Sequence, residues 1–117
     1  MLKHFIGIIL CLIPSLSFSQ EIVSGFFKEI ILDERAYNIS LGEATEIETL
    51  IVKTNDIKDG VYEISVTRVG DHIYKIDYTD LYIEMPYCYE YSYYQDAILK
   101  VELYKGIKVG TLTFIDD

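Results

Sequence analysis

The chain has 117 residues, with 10 basic and 19 acidic side chains, two histidines and two cysteines, and its formal charge is −9. That acidity argues against nucleic acid and anionic membrane surfaces, which are met by basic patches, and leaves room for a basic protein partner as well as for plain solubility. A chain of this size forms one domain and buries about 60–70% of its unfolded surface, enough for a modest core.

Residues 1–19 read as an export signal. Lys3 and His4 give a basic start, Phe5 to Ile13 an apolar run and Pro14 a break, and Ser17-Phe18-Ser19 puts small residues at the two positions an export peptidase reads. Cleavage is expected before Gln20, leaving residues 20–117 as a single β-rich domain in the periplasm or outside the cell. A membrane anchor needs about 20 apolar residues; the polar Ser/Gln segment arrives too early, so no span is expected after cleavage. Leu10 ahead of Cys11 does not suit the lipoprotein peptidase. Loss of Lys3 leaves nine basic against nineteen acidic residues, a formal charge of −10. Cys11 leaves with the signal, so Cys88 is the sole remaining thiol and no intramolecular disulfide forms. Two readings of Cys88 stand: a buried, inert thiol, or a free thiol that bridges to another chain.

From Ser24 to Tyr37 the pattern is mixed. Phe26, Phe27, Ile30 and Ile31 recur at three- and four-residue spacing behind Ser24, a capping residue type, which allows one short N-terminal helix. The same stretch is rich in β-formers, which favours strand or mixed structure. Glu46 to Lys53 alternates through Ile47, Thr49 and Ile51 as a strand does, with Glu46 and Glu48 on its solvated face. Asn55 to Gly60 carries two acids ahead of a glycine, but it lacks the ligand spacing and terminal Glu of a calcium-hand loop and reads as a turn. Val61 to Val69 and His72 to Tyr78 alternate on either side of Gly70-Asp71, the signature of a β-hairpin. Thr79-Asp80 supplies the next turn and leads into Leu81 to Tyr93. Ala97 to Tyr104 and Ile107 to Ile115 flank Lys105-Gly106, another tight turn. Five such strands at short spacing predict an all-β fold, a small antiparallel meander forming a barrel or sandwich.

The longest alternation runs from Leu81 to Tyr93, where every odd position is apolar or aromatic. On a strand one face then carries Tyr87, Tyr89, Tyr91 and Tyr93. Pro86 has no N–H, so this strand is expected at an edge, bulged, or split in two at the proline. The default for an aromatic face is packing on the core with hydroxyls at the rim. Exposed, it would be a binding face for sugar rings or a protein, although carbohydrate strips usually include Trp and this chain has none. Cys88 and Glu90 fall on the reverse face, where a neighbouring carboxylate disfavours a thiolate nucleophile.

No catalytic, cofactor-binding or metal-binding residues are singled out. After the signal there is one histidine, His72, which makes neither a Cys–His dyad nor a zinc set. Nineteen carboxylates could contain a glycosidase pair, but none stands out. Asn38-Ile39-Ser40 matches a glycosylation sequon, relevant only to a eukaryotic export route.

The segment Tyr82-Ile83, then Tyr87-Cys88-Tyr89-Glu90-Tyr91, then Ala97-Ile98-Leu99 resembles small exported bacterial proteins with a late Y-I-x-x-x-Y-C-Y-E-Y segment ahead of an aliphatic strand. The likeness covers about half of the chain beyond the signal and implies export without implying an activity. Some such proteins carry a further cysteine near the C-terminus; this chain ends TFIDD, so that disulfide is not expected. The expected function is a small, acidic, non-catalytic binding domain of the bacterial cell envelope with a protein or glycan partner and no cofactor. The alternatives are an immunity or inhibitor protein against a basic toxin or hydrolase, and a carboxylate-dependent hydrolase. The oligomeric state is left open.

Overall fold

The computed structural model describes residues 20–115. The predicted signal and Cys11 lie outside the described residues. Eight strands follow one another: β1 (Gln20–Val23), β2 (Gly25–Ser40), β3 (Glu43–Thr54), β4 (Gly60–Gly70), β5 (Ile73–Ile76), β6 (Leu81–Glu84), β7 (Gln95–Tyr104) and β8 (Ile107–Phe114). All pair antiparallel in one sheet of order β1-β8-β7-β4-β5-β6-β2-β3. The all-β expectation stands, and three finer expectations are corrected.

The first is the N-terminal helix: the described residues contain none. Ser24 to Tyr37 lies within one extended stretch because Phe26, Phe27, Ile30 and Ile31 find cross-strand partners in β3, with Ile30 opposite Leu50 and Phe27 opposite Lys53. Pairing with an equally β-prone strand outweighs the helical spacing.

The second is the barrel, which the sheet does not close; its antiparallel hairpins follow the expected chain order, with long-range pairings between them. Here β7 pairs with β4 rather than β6, and β6 pairs with β2 over Gly25–Lys28. The sheet curls on itself without closing into a barrel. The chain passes at Ser24 from β1, paired with β8, to β2, paired with β6. Ser24 N–H donates to the Glu84 carbonyl at 2.9 Å, and its hydroxyl donates to Glu84 Oε1 at 3.1 Å. Phe26 then packs against Gly110 of β8. A Cβ at Gly110 would stand 2.5 Å from the Lys100 carbonyl oxygen and 3.4 Å from Phe26 Cζ, so only glycine permits this approach.

Inside the curl, Val23, Phe26, Tyr74, Ile83, Leu99 and Leu112 are fully buried. They come from six strands and form one core. Each follows the period of two on its own strand, which is how a half-buried sheet segregates apolar side chains. Tight turns hold the hairpins. Lys105 and Gly106 both have positive φ (52° and 81°), as the two central residues of a type I′ turn require. The β4–β5 turn is centred on Asp71-His72, one residue later than expected, with a register shift between Arg68 and Gly70.

The third correction is the tyrosine strand. Regular pairing ends at Glu84, and residues 85–94 contain no strand. The Cys88 N–H donates to the Met85 carbonyl at 3.1 Å, closing a turn around Pro86 and Tyr87. No strand resumes after the proline until Gln95.

Beyond Lys28, β2 has no strand partner except β3, and β3 is the last strand of the sheet. The two therefore leave the body as a hairpin arm. From Ile30 to Ser40 it pairs with the eight residues from Leu50 to Glu43, a length of about 26 Å at strand rise, and it contributes to molecular extents of 71 × 29 × 24 Å.

Candidate functional site

The segment from Tyr87 to Tyr94 lies along the end of β4. Beyond Val66, which pairs with Gln95, β4 has no β7 residue beside it, and the segment fills that place. The Arg68 N–H donates to the Ser92 carbonyl at 2.9 Å, and the Tyr94 N–H donates to Thr67 Oγ1 at 3.0 Å. Tyr94 has φ of 50°, so the chain bulges there and the ladder slips out of register.

Alternation survives the loss of the strand. Cys88 and Ser92 are buried, while Tyr87, Tyr89, Tyr91 and Tyr93 are 71–83% exposed. The default expectation, that this aromatic face packs on the core, is corrected. The turn at Pro86 reverses the phase: Ile83 and Met85, on the same odd positions, are fully buried before it. Glu90 is exposed too, so it does not share the inward face with Cys88.

The buried side anchors the segment. The Tyr74 hydroxyl donates to the Glu90 carbonyl at 2.6 Å and stands 3.3 Å from Cys88 Sγ. Burial, and then the hydrogen bond with the thiol, pushes the Tyr74 phenol well above its usual range. His72 Nδ1–H donates to the Cys88 carbonyl at 3.2 Å, since a carbonyl can only accept. Sequence gave no reason to bring His72 near Cys88. The contact is to the backbone, and the thiol faces Tyr74. The His72 ring packs edge-on to Tyr89, with centroids 5.1 Å apart.

Two further tyrosines extend the aromatic surface. Tyr93 meets Tyr94 edge-on at 4.7 Å, and Tyr94 meets Tyr78 at 6.0 Å. Tyr78, like Tyr94, is left-handed, with φ of 67°, and is almost fully exposed. Such a conformation costs a bulky residue about 1 kcal/mol or more. The Thr79 hydroxyl, which donates to the Ile76 carbonyl at 2.6 Å and accepts from the Leu81 N–H at 3.0 Å, holds the turn that imposes it.

Tyr78 and Tyr94 border an open groove of about 720 Å³ whose polar lining includes Glu63, Ser65, Asp77 and Asp96, with no basic side chain. Asp77 is more than nine-tenths buried, and Ser65 Oγ donates to its Oδ2 at 2.6 Å. Carboxylates and hydroxyls beside tyrosine rings can accept and donate hydrogen bonds to a polyhydroxylated or cationic ligand and stack on its apolar face.

Sequence reading missed Tyr78, Tyr94 and the groove. Tyr78 shares its odd–even phase with Tyr74 and Ile76 and so looked like a third inward residue; the Thr79-Asp80 turn signal beside it is what takes it out of the strand. Cys88 is the only thiol among the described residues and is buried. Among those residues no three His, Cys, Asp or Glu side chains converge as metal ligands. Glu46 and Glu48 lie exposed on the arm, far in the fold from the tyrosine segment. No family model, curated protein or solved structure matches the chain.

Proposed function

We propose that the protein is an exported, non-catalytic binding domain of the bacterial cell envelope that engages a neutral or amino-sugar glycan through the Tyr87–Tyr94 surface and the adjoining groove. The observation that carries this reading is the joint exposure of Tyr87, Tyr89, Tyr91 and Tyr93 on a segment whose other side is anchored by Tyr74, Arg68 and Thr67. Exposed rings held by a fixed backbone present an interaction surface at low ordering cost. The groove adds hydrogen-bond acceptors for sugar hydroxyls and, having no lining cation, disfavours an anionic saccharide.

Titration calorimetry with soluble neutral fragments of cell-wall glycan tests the proposal. The Tyr89→Ser, Tyr91→Ser double variant is expected to bind at least about tenfold more weakly, a loss of about 1.4 kcal/mol. Equal binding by variant and parent would remove the tyrosine surface from the function. The hydrolase reading is favoured by the three groove carboxylates Glu63, Asp77 and Asp96. Release of reducing ends from the same fragments, abolished by Asp77→Asn, would put that reading in place of simple binding.

A further inference from the structure

The arm carries a second surface. Register places Ile30 opposite Leu50, Tyr37 opposite Glu46 and Ile39 opposite Ala44. These side chains continue the face that bears Phe26 in the core, but past Lys28 no strand of the body pairs beside them. Ile30, Tyr37, Ile39 and Leu50 are exposed, as are Ile31 and the tip residue Leu41. A two-stranded hairpin alone is marginal in water, and an exposed face on which Ile30, Leu50, Tyr37 and Ile39 are interspersed with Glu46 and Glu48 marks an interaction site. One face of a ribbon about 26 Å long and about 10 Å wide offers about 260 Å², the scale of a weak, transient contact rather than a permanent interface.

Charge selects the occupant. Residues 30–50 hold five carboxylates (Asp33, Glu34, Glu43, Glu46, Glu48) against one cation, Arg35, a formal charge of −4. Arg35 is already drawn to Glu46 at 3.6 Å in an exposed pair. Two arms brought together would set like charges against each other, and Glu43, Glu46 and Glu48 on the open β3 edge oppose edge-to-edge pairing of copies. The Asp33-Glu34-Arg35 segment lies in a register shift between Ile31 and Ala36, which interrupts the other edge as well.

We propose that the arm is a docking element for a basic protein, whose lysine- or arginine-rimmed apolar groove or strand edge receives the Ile30, Leu50, Tyr37 and Ile39 face. This deepens the binding-domain reading but uses none of the tyrosine surface. The carboxylates steer the approach and pair with the partner's cations, and the apolar side chains between them supply the buried contact.

The test uses residues 20–117 and two labelled strand peptides, one alternating lysine with valine and the other glutamate with valine, read by fluorescence anisotropy. The lysine peptide is expected to bind at least tenfold more tightly than the glutamate peptide. At 50 mM salt its binding should weaken at least fivefold in either the Ile39→Ser, Leu50→Ser variant or the Glu46→Gln, Glu48→Gln variant, and binding by the parent should weaken at least fivefold from 50 to 300 mM salt. All four positions are exposed, so these changes leave the core intact. The body variant Glu102→Gln, which removes a carboxylate outside the arm, and the Tyr89→Ser, Tyr91→Ser variant should bind as the parent does. The proposal is overturned if neither peptide binds, if both bind equally, or if the arm variants bind like the parent. It is also overturned if sedimentation velocity shows a dimer that Leu50→Ser dissociates, since a second copy then covers the arm. Loss of peptide binding in the tyrosine variant alone would overturn the arm and leave the tyrosine surface standing.

Discussion

Replacing Tyr74 with Phe removes one oxygen and tests whether the core holds the tyrosine surface in place. The Tyr74 ring is fully buried, and its hydroxyl is the donor to the Glu90 carbonyl at 2.6 Å. Without it, that carbonyl and the neighbouring Cys88 thiol lose their partner while the ring still fills its site. Leaving a half-buried acceptor unpaired costs about 1–2 kcal/mol. For a domain of this size that lowers Tm by about 4–8 °C per kcal/mol. The local consequence is more diagnostic. Cys88 is the only thiol from residue 20 on and is 1% exposed. A disulfide reagent therefore reaches it only when the segment opens. Opening made easier by 1–2 kcal/mol speeds labelling about 5–30-fold. Thr67→Val, which removes the acceptor of the Tyr94 N–H at the far end of the segment, should speed it less, because Cys88 lies six residues from Tyr94. A Tyr74→Phe protein with unchanged Tm and unchanged labelling would refute the anchor. A lower Tm with unchanged labelling would move the role of the hydroxyl from the segment to the body.

Three further outcomes follow from the packing and charge. Gly110→Ala should lower Tm by an amount corresponding to about 1–3 kcal/mol, because its Cβ would sit 2.5 Å from the Lys100 carbonyl and β8 must move away from β7; a calorimetric Tm equal to the parent's would mean that β7 and β8 are less tightly apposed. Ser65→Ala should shift the urea midpoint down by the equivalent of about 1.5–3 kcal/mol, since the buried Asp77 carboxylate loses its hydroxyl donor. Adding Asp77→Asn should recover part of that loss, and a double variant weaker than the single would count against it. Burial, reinforced by the negative charge of Glu90, raises the Glu21 carboxyl above its ordinary value of 4.5. A raised folded-state value means that this group's contribution to stability is present in full below pH 4.5 and is lost as pH rises through the folded-state value. Glu21→Gln should therefore raise Tm slightly at pH 7 and leave it unchanged near pH 4, and paired melts at the two pH values decide.

The period of two was legible wherever a strand has a single buried face. Val61 to Val69, Ala97 to Tyr104 and Ile107 to Ile115 fall close to β4, β7 and β8, and the turn residues Lys105-Gly106 sit where their backbone demands. Sheet order was not legible, because alternation says which face is buried and nothing about which strand lies alongside. Pairing of β7 with β4 depends on β4 being long enough to hold β5 over Val66–Gly70 and β7 over Gly60–Val66, a matter of lengths and loops. The arm was hidden for a related reason. Glu46 to Lys53 reads as an ordinary half-buried strand, and only the structure shows that its partner β2 continues past the body with no layer beneath it.

The tyrosine run shows how a pattern can be real and its interpretation inverted. Odd positions from Leu81 to Tyr93 are uniformly apolar, and a single strand would put them all on one side. At Pro86 the chain cannot donate to a ladder, and the turn closed by Cys88 N–H and Met85 C=O reverses the phase. Before the turn the odd residues Ile83 and Met85 build the core; after it Cys88 joins the core and Ser92 is buried, and the tyrosines point out. Small side chains suit the inward side of this second half: Cys88 stands beside the Tyr74 hydroxyl, and Ser92 is buried where its carbonyl accepts from the Arg68 N–H. The tyrosines therefore face solvent because Cys88 and Ser92 must face inward. An aromatic surface produced this way is fixed by the core beneath it, which is why a single buried hydroxyl, that of Tyr74, is expected to control it.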